Sequence, residues 1–286
     1  MPDSLFVLIQ HILPKRALTQ LMGWLAGRRA GALTTAVIRG FIARYGVDMA
    51  EAAEPDPATY PSFNDFFTRA LREGARPRAD AELLCPVDGA ISQFGPIRAG
   101  EIFQAKGHHY SATTLLGGDH ALAERFADGL FATLYLSPRD YHRIHMPCTG
   151  TLREMIYVPG ALFSVNPATA RGVPGLFARN ERVVCVFDSA DGPFALVLVG
   201  ATIVGSMATV WHGVVNPPRR AQITKWRYAD GEVMLGRGEE MGRFLLGSTV
   251  VMLFPHERFA FNPAWAPGGA VRMGEAMSNP AQTPAA

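Results

Sequence analysis

Four residues at three separate places in the sequence have side chains that could act together in catalysis. Asp88 lies in the stretch CPVDGAIS, and His142 and His145 lie three residues apart in LSPRDYHRIHMP. Ser248 follows Gly247 in RFLLGSTVVML, where a small residue and two hydroxyl residues interrupt an apolar run. A carboxylate, an imidazole and a hydroxyl are the components of a Ser-His-Asp relay, in which the imidazole activates the hydroxyl as a nucleophile.

Each of these stretches also has an interpretation without catalysis. Asp-Gly is a common turn dipeptide, the two histidines could lie in a solvated loop or form an H-x-x-H metal pair, and Gly-Ser-Thr could form a β-bulge. The sequence offers no third metal ligand close to the histidines, so we predict no metal site. The stretch LGSTV also differs from the G-x-S-x-G elbow of many hydrolases.

Strands are expected to position these side chains. From Leu83 onward, short runs of β-branched and aromatic residues lie between Gly, Pro or Asp turns. The runs are VDGAIS, EIFQAKG, LFATLYLSP, REMIYVPG, RVVCVFDS, FALVLVGATIVGS, EVMLGRG and FLLGSTVVMLF. Because long helices do not alternate with them, a doubly wound parallel sheet is disfavoured. We therefore expect an α+β fold with a mostly antiparallel β catalytic body, a hairpin at DSADGP, and a poorly ordered tail after about Pro267.

Amphipathic helices are predicted before this body, in a region we place at residues 1–55. Apolar residues recur there at helical spacing in three segments: Leu5, Leu8, Ile9, Ile12 and Leu13; Leu18, Leu21, Met22 and Leu25; Val37, Ile38, Phe41 and Ile42. Residues 1–45 carry six basic residues against one acidic residue, which is typical of a segment that lies on an anionic membrane surface. The alternative is an ordinary helical subdomain packed on the core. Ser62 is expected to cap a further helix that carries several phenylalanines.

The composition of the whole chain limits the classes of function. The 286 residues suit one large domain, or one domain with an appendage, and a net charge of +2 gives no reason to expect nucleic-acid binding. Three scattered cysteines form no disulfide framework, which favours a reducing compartment. The sequence contains no uninterrupted apolar run of roughly 18 residues, so no membrane-spanning helix is predicted.

Taken together, the motifs resemble those of phosphatidylserine decarboxylases of the bacterial and mitochondrial type. The similarity extends through SFNDFFTR, PVDGAIS, KGHHYS, YLSPRDYHRIHMPC, VPGALFSVN, VGATIVGSM and GEEMGRFLLGSTVV. The last motif contains Leu246-Gly247-Ser248-Thr249, which is similar to the self-cleavage signature of this family. Several distinct motifs in the same order make the resemblance specific.

The resemblance implies a proenzyme that cuts itself between Gly247 and Ser248. A large chain, 1–247, would stay bound to a small chain, 248–286, within a catalytic domain predicted at 56–286. The processing triad of the family corresponds to Asp88, His145 and Ser248. The resemblance further implies that Ser248 becomes a covalent pyruvoyl cofactor, which forms a Schiff base with the substrate, and that His142 lies in the substrate pocket. There His142 could position or protonate the substrate, or it could have a structural role.

The chemistry of these residue types agrees with that expectation. The Ser248 hydroxyl could attack the Gly247 carbonyl with His145 as general base and Asp88 orienting the imidazole. Thr249 could donate to the developing oxyanion or could simply pack. Removal of the Ser248 α-proton, β-elimination and hydrolysis would then leave a pyruvoyl group and ammonia. That group would accept the electrons released with CO₂, as pyridoxal phosphate does in other enzymes.

The expected partners are phosphatidylserine, the membrane surface, and the two chains of one precursor, with a homodimer of that heterodimer as a further candidate assembly and no nucleic acid. The expected location is peripheral, at the cytoplasmic face of the cell membrane. Three other functions stay open at this point. They are a pyruvoyl decarboxylase of a soluble amino acid, a Ser-His-Asp hydrolase without self-cleavage, and a non-catalytic lipid-binding module.

Overall fold

Three helices precede a β-rich body in the computed structural model, which describes residues 3–203, 206–217, 219–247, 249–255 and 259–279. The helices are α1 Asp3–Ile12, α2 Lys15–Ala26, α3 Ala32–Tyr45, α4 Phe63–Phe67, α5 Ala112–Leu115, α6 His120–Glu124, α7 Pro167–Gly172 and α8 Leu176–Arg179. The expected N-terminal helices are thereby confirmed. Met49–Glu51 and Pro57–Thr59 form short 3₁₀ helices between α3 and α4.

The strands of the body form antiparallel sheets, which confirms the α+β class. They are β1 Gly89–Pro96, β2 Glu101–Ala105, β3 His108–Ser111, β4 Leu130–Tyr135, β5 Arg143–His145, β6 Gly150–Val158, β7 Arg182–Ser189, β8 Gly192–Val199, β9 Met207–Thr209, β10 Gly213–Val214, β11 Thr224–Arg227, β12 Met234–Leu235, β13 Glu240–Phe244, β14 Thr249–Phe254 and β15 Ala270–Val271. The hairpin expected at DSADGP joins β7 to β8.

A nine-stranded sheet dominates the body, with the order β11-β6-β7-β8-β14-β4-β1-β15 and β12 beside β6. Its central strand β14 is buried along its whole length. Val250 and Met252 pack into the core on one face of the sheet, while Val251 and Leu253 pack into the core on the other. Burial on both faces explains why this stretch is continuously apolar and does not alternate with polar residues.

A smaller, four-stranded sheet has the order β10-β9-β13-β5. The run FLLGSTVVMLF is therefore not one strand with a bulge, because β13 belongs to the small sheet and β14 to the large one. The chain leaves the small sheet at Phe244, the end of β13, and enters the large sheet at Thr249, the start of β14. The need to change sheets gives a structural reason for small and polar residues in the middle of an apolar run.

The N-terminal helices contact the body through a few specific pairs. The Gln10 side chain in α1 accepts a hydrogen bond from the Ser164 amide at 3.0 Å, and the Thr19 hydroxyl in α2 accepts one from the Ile203 amide at 3.1 Å. Ile38 in α3 packs with Phe66 and other aromatic residues of α4 in a small third core. Ser62 caps α4 as expected, although that helix ends after five residues.

The expectation of a poorly ordered tail after Pro267 is wrong for residues 268–279. β15 pairs with β1, and the Met277 amide donates to the Leu83 carbonyl at 2.9 Å. The Met277 side chain is fully buried in the main core. A small number of long-range contacts therefore orders a segment whose composition alone is typical of a loose end.

Candidate active site

The site lies where β13 leaves the small sheet and the chain enters the large one. Gly247 is the last described residue before β14, and the residue expected to be the nucleophile, Ser248, lies outside the described residues. Thr249 opens β14 between Val199 of β8 and Tyr135 of β4. Its side chain is fully buried, and its hydroxyl has no hydrogen-bond partner among the described residues. Strand β13 of the small sheet ends three residues before Gly247, and β14 of the large sheet begins at Thr249, so strands of the two sheets flank the expected cleavage bond.

His142 lies directly against Gly247. A Cβ atom on Gly247 would be 3.2 Å from His142 Nε2, which is closer than most side-chain contacts, so glycine suits this position. His142 Nδ1 lies 2.8 Å from the Asp140 carbonyl, to which it donates, and the ring packs on Phe67 at 4.1 Å between centroids. Nε2 is therefore the unprotonated nitrogen, and it has no hydrogen-bond partner among the described residues.

Burial keeps the His142 imidazole neutral. The ring is fully buried, and desolvation, with a smaller contribution from the nearby Arg69 charge, lowers the pKa of His142 to about 3. An unpaired acceptor nitrogen in such surroundings is costly unless another group uses it. The arrangement can therefore accept a hydrogen bond from a group that enters beside Gly247.

His145 lies on β5, opposite Glu240 of β13. Its Nδ1 is 2.9 Å from the Gly238 carbonyl, and its Nε2 is 3.0 Å from the Tyr141 hydroxyl. Because a carbonyl can only accept, Nδ1 carries the proton, and Nε2 accepts from Tyr141. Desolvation lowers the pKa of His145, so this ring is also neutral at physiological pH.

Asp88 is held by an ion-pair network. Arg76 Nε donates to its carboxylate at 3.0 and 3.2 Å, and the Met273 amide donates to it at 2.9 Å. The Arg76 side chain is 5% exposed and also pairs with Glu51 at 2.6 Å. Glu51 in turn lies 3.1 Å from Arg272. The network joins the segment before α4, the start of β1 and the C-terminal segment.

The three candidate regions converge, although not every expected pair is in direct contact. His142 meets Gly247, and the His145 amide donates to the Pro86 carbonyl at 2.9 Å, which places the segment leading to Asp88 beside β5. The Asp88 carboxylate and the His145 ring share no hydrogen bond in the described parts of the chain. The roles expected for Asp88, His145 and Ser248 remain predictions.

Sequence reasoning missed the residues that hold the candidates in place. Tyr141 lies inside the YLSPRDYHRIHMPC motif, so its position next to His142 was a usable signal. Gly238 opens the GEEMGRFLLGSTVV motif and could have been found in the same way, whereas Arg76 and Arg78 lie in an irregular segment whose sequence carries no comparable pattern. Among the described residues, no group of three or more His, Cys, Asp or Glu side chains could hold a metal ion.

A mostly apolar cavity of about 1130 Å³ opens beside Gly247. Leu246 and Phe67 line the end near Gly247, whereas Trp24 of α2 and Leu33 of α3 line the end formed by the N-terminal helices. Among the described lining residues, the charged side chains are Arg28 and Arg29. The cavity connects the expected cleavage bond with the helices at the surface, and its volume suits a ligand of substantial size.

Comparison with known proteins identifies the family. The model of the phosphatidylserine decarboxylase family matches residues 63–279, and a second model, described as PSD, matches residues 5–46. The chain therefore belongs to the phosphatidylserine decarboxylase family.

Curated relatives agree with this membership. The phosphatidylserine decarboxylase proenzyme of Azoarcus sp. (strain BH72) is 71% identical over 98% of this chain and 97% of its own length. The proenzyme of the same name from Variovorax paradoxus (strain S110) is 70% identical over 98% of this chain and 99% of its own length. That of Albidiferax ferrireducens (strain ATCC BAA-621 / DSM 15236 / T118) is 71% identical over 96% of this chain and 97% of its own length. These relatives confirm the resemblance found in the sequence and the prediction of an enzyme.

Proposed function

We propose that this protein is a self-processing, pyruvoyl-dependent decarboxylase that converts phosphatidylserine to phosphatidylethanolamine and CO₂ at the membrane surface. The observation that carries the proposal is the apolar cavity between Gly247 and the N-terminal helices. A lipid substrate needs both a polar reaction centre and an apolar route for its acyl chains. A decarboxylase of a soluble amino acid would need no such route.

Self-cleavage would begin when the Ser248 hydroxyl attacks the Gly247 carbonyl. In that step the Ser248 Oγ–H proton passes to His145 Nε2, and the amide is exchanged for an ester. Loss of the Ser248 α-proton and β-elimination then release the Gly247 carboxylate. One water completes the conversion of residue 248 and releases ammonia. Asp88 would supply negative charge near the imidazolium, and its fixed position is supported by the contacts with Arg76 and Met273.

The residues around Gly247 fit a pyruvoyl group at position 248. The supporting observation is the buried, unpaired His142 Nε2 beside Gly247, which can accept a hydrogen bond or a proton from a substrate group held at residue 248. The chemistry that such a group supplies is a carbonyl electron sink for decarboxylation. Phe67 and the Asp140 carbonyl hold the His142 ring in a fixed orientation, which preserves the alignment of Nε2 during turnover.

The surface of the N-terminal helices suits a membrane interface. Large apolar side chains are exposed along α1, α2 and α3: Leu5, Leu8, Ile12, Leu21, Trp24, Leu25, Leu33 and Val37. Arg28 stacks on Trp24 at 3.8 Å from the ring. An exposed apolar face beside basic residues is typical of helices that lie in the headgroup layer. No helix among the described residues has the length and apolarity needed to span a bilayer.

The separation of the membrane-facing helices from the β-rich body that carries the site supports two proposed domains. Residues 1–55 would associate with the membrane, and residues 56–286 would form the catalytic domain, which is cut into chains 1–247 and 248–286. We also propose a peripheral location at the cytoplasmic face of the cell membrane. A homodimer of the two-chain enzyme stays a prediction.

Intact mass and carbonyl chemistry test the self-processing step. The purified full chain is expected to give two fragments, and the smaller one should begin at residue 248 and react with hydrazine. The Ser248→Ala variant should give one uncut chain. A wild-type chain of full mass, labelled by a fluorophosphonate, would instead indicate the serine hydrolase. An uncut chain with neither reaction would favour the lipid-binding module.

Release of CO₂ from two substrates tests the substrate class. The processed enzyme is offered free serine or vesicles that contain phosphatidylserine. We expect CO₂ from the vesicles at a rate far above that from free serine. Equal or faster reaction with free serine would reject the lipid substrate while keeping the pyruvoyl chemistry.

Surface substitutions test the membrane interface without disturbing the core. Deletion of the three helices would uncover Phe66 and the small core around it, so point variants are preferable. Leu8→Ser combined with Leu33→Ser should weaken flotation with anionic vesicles, because both side chains are exposed. Met234→Ser is the matched control, since Met234 is 68% exposed on a distant strand. Unchanged flotation of the double variant would contradict the proposed interface.

A further inference from the structure

The His145 imidazole is held at both nitrogens by groups other than Asp88. Its Nδ1 donates to the Gly238 carbonyl at 2.9 Å, and its Nε2 accepts from the Tyr141 hydroxyl at 3.0 Å. Only one neutral tautomer satisfies both contacts, namely the one with the proton on Nδ1. A general base that uses Nε2 needs this tautomer.

The Gly238 carbonyl is itself fixed by neighbouring groups. The Gly238 amide donates to the Met146 carbonyl at 2.8 Å, and the Met146 amide donates to the Glu239 carbonyl at 2.8 Å. These two bonds set the register of the turn against the end of β5, which carries His145. Gly238 has a φ of +78°, a conformation that favours glycine. The positive φ of Gly238 and these two hydrogen bonds together determine the direction in which the Gly238 carbonyl points.

Arg78 clamps the same turn from outside. Its Nη2 donates to the Gly238 carbonyl at 3.1 Å, and its Nη1 donates to the Arg237 carbonyl at 3.2 Å. A Cβ atom on Gly238 would lie 2.5 Å from Arg78 Nε, so the absence of a side chain permits this close approach. The planar guanidinium can contact two successive carbonyls in a way that a single ammonium group cannot.

Asp88 is engaged by a different set of partners. Its carboxylate accepts from Arg76 and from the Met273 amide, and it shares no hydrogen bond with the His145 ring in the described parts of the chain. In this structure the contact that selects the His145 tautomer is therefore made by a backbone carbonyl. Asp88 can still stabilise the His145 imidazolium through its negative charge when His145 takes the Ser248 proton.

We propose that Arg78 is a positioning residue for self-cleavage, because it anchors the Gly238 carbonyl that holds His145 in the tautomer with an unprotonated Nε2. This inference rests on the proposed function, in which His145 accepts the Ser248 proton. During that transfer the Oγ–H bond breaks and the Nε2–H bond forms, while the Nδ1–H group stays on Gly238. The Tyr141 hydroxyl must turn away from Nε2 to admit the proton.

The rate of self-cleavage tests the role of Arg78. Full-length chains are made by cell-free synthesis, and the uncut fraction is followed with time. Arg78→Gln should slow cleavage on the order of tenfold or more. This effect is smaller than that of removing the general base itself, because Arg78 only positions His145. Arg78→Lys should recover part of the rate. Arg72→Gln is the matched control, because Arg72 is also an exposed arginine that donates to a backbone carbonyl, that of Ala50, away from His145.

The tautomer is read separately by long-range ¹H–¹⁵N NMR of histidine-labelled, uncut Ser248→Ala protein. His145 should show the pattern of a proton on Nδ1, and adding Arg78→Gln should remove that preference. A change of fold alone would not select one tautomer of one histidine. The signal is assigned by its loss in a His145→Gln chain.

The outcomes separate this inference from the proposed function. If the wild-type chain is never cut, both fail. If it is cut and Arg78→Gln is cut at the same rate, only the role of Arg78 fails. A proton on Nε2 of His145 in the Ser248→Ala chain would also overturn the inference, and so would a tautomer switched by Asp88→Asn but unaffected by Arg78→Gln.

Discussion

The two histidines of the candidate site lie three residues apart in the chain, yet their surroundings differ in burial and in hydrogen bonding. His142 is fully buried against Phe67, and its Nε2 faces Gly247 with no hydrogen-bond partner among the described residues. His145 is only partly buried, and Gly238 and Tyr141 engage both of its nitrogens.

This difference indicates two separate tasks. His142 stays a neutral acceptor next to Gly247 at physiological pH, since burial lowers its pKa to about 3. His145 has its tautomer fixed from the Nδ1 side, which is what a general base requires. We therefore expect His145 to serve the single event of maturation and His142 to serve each turnover. The following predictions would separate the two roles or merge them.

The largest effect is expected from His145→Ala on maturation. Without the base, self-cleavage should slow by about 10²–10⁴-fold. The uncut fraction of newly made chain is measured with time on a denaturing gel. His142→Asn serves as the comparison and should still be cut. Normal processing of His145→Ala would remove His145 from the role of base, and loss of cleavage only in His142→Asn would exchange the two assignments.

The next effect concerns turnover by an enzyme that has already matured. His142→Asn should lower kcat for CO₂ release by about 10²-fold and change KM less, because the ring acts on the reacting groups and not on the acyl chains. The processed variant is assayed on phosphatidylserine vesicles. His109→Asn is the control, since His109 is exposed on β3. A processed His142→Asn enzyme with wild-type kcat would leave His142 a structural residue.

Much of the fold could be predicted from the sequence because its signals are local. The hairpin between β7 and β8 follows from a turn motif between two β-branched runs, and the Ser62 cap follows from a four-residue pattern. The order of the C-terminal segment could not be predicted, because it depends on long-range contacts such as Met277 with Leu83. Composition describes a segment, but it does not reveal which distant strand pairs with it.

In the candidate site, too, residues with a local sequence signal could be predicted, and residues placed by long-range contacts could not. Asp88, His142, His145 and Gly247 were found because each lies in a recognisable motif. Some of their partners, such as Tyr141 beside the two histidines, lie in the same motif, but others come from distant segments. Arg76, which holds Asp88, has no spacing that distinguishes it from the other arginines of the chain. The direction of a backbone carbonyl, on which the His145 tautomer depends, is absent from any sequence pattern.

Acid stability should report the burial of His142. The unfolded chain binds a proton at the ordinary histidine pKa near 6.5, whereas the folded chain does so only near 3. The stability that the neutral His142 contributes is therefore complete above pH 6.5, and it is lost as the pH falls from 6.5 toward about 3. The contribution is about 1.4 kcal/mol per pH unit within this window. Urea unfolding of the Ser248→Ala chain at several pH values measures the slope.

A second variant isolates the contribution of His142 from that of the other acid-sensitive groups. Adding His142→Phe to the Ser248→Ala chain should make the slope shallower by up to the same amount. His109→Phe, at an exposed position, should leave the slope unchanged. An equal slope with and without His142 would mean that the ring becomes protonated in the folded state, and the contrast between the two histidines would then lose its electrostatic basis.

The smallest effect is expected from the ring that supports His142. Phe67→Leu removes the aromatic contact at 4.1 Å and should cost about 1 kcal/mol of stability. It should lower kcat by a few-fold, because a less confined imidazole spends less time aimed at residue 247. Phe63→Leu is the control. Phe63 belongs to the same aromatic cluster, where its ring contacts Phe67 at 5.9 Å and Phe41 of α3 at 5.0 Å between centroids. If both variants lose stability equally but kcat falls only for Phe67→Leu, the ring acts by orienting His142. Equal kcat in both would instead assign Phe67 to packing alone.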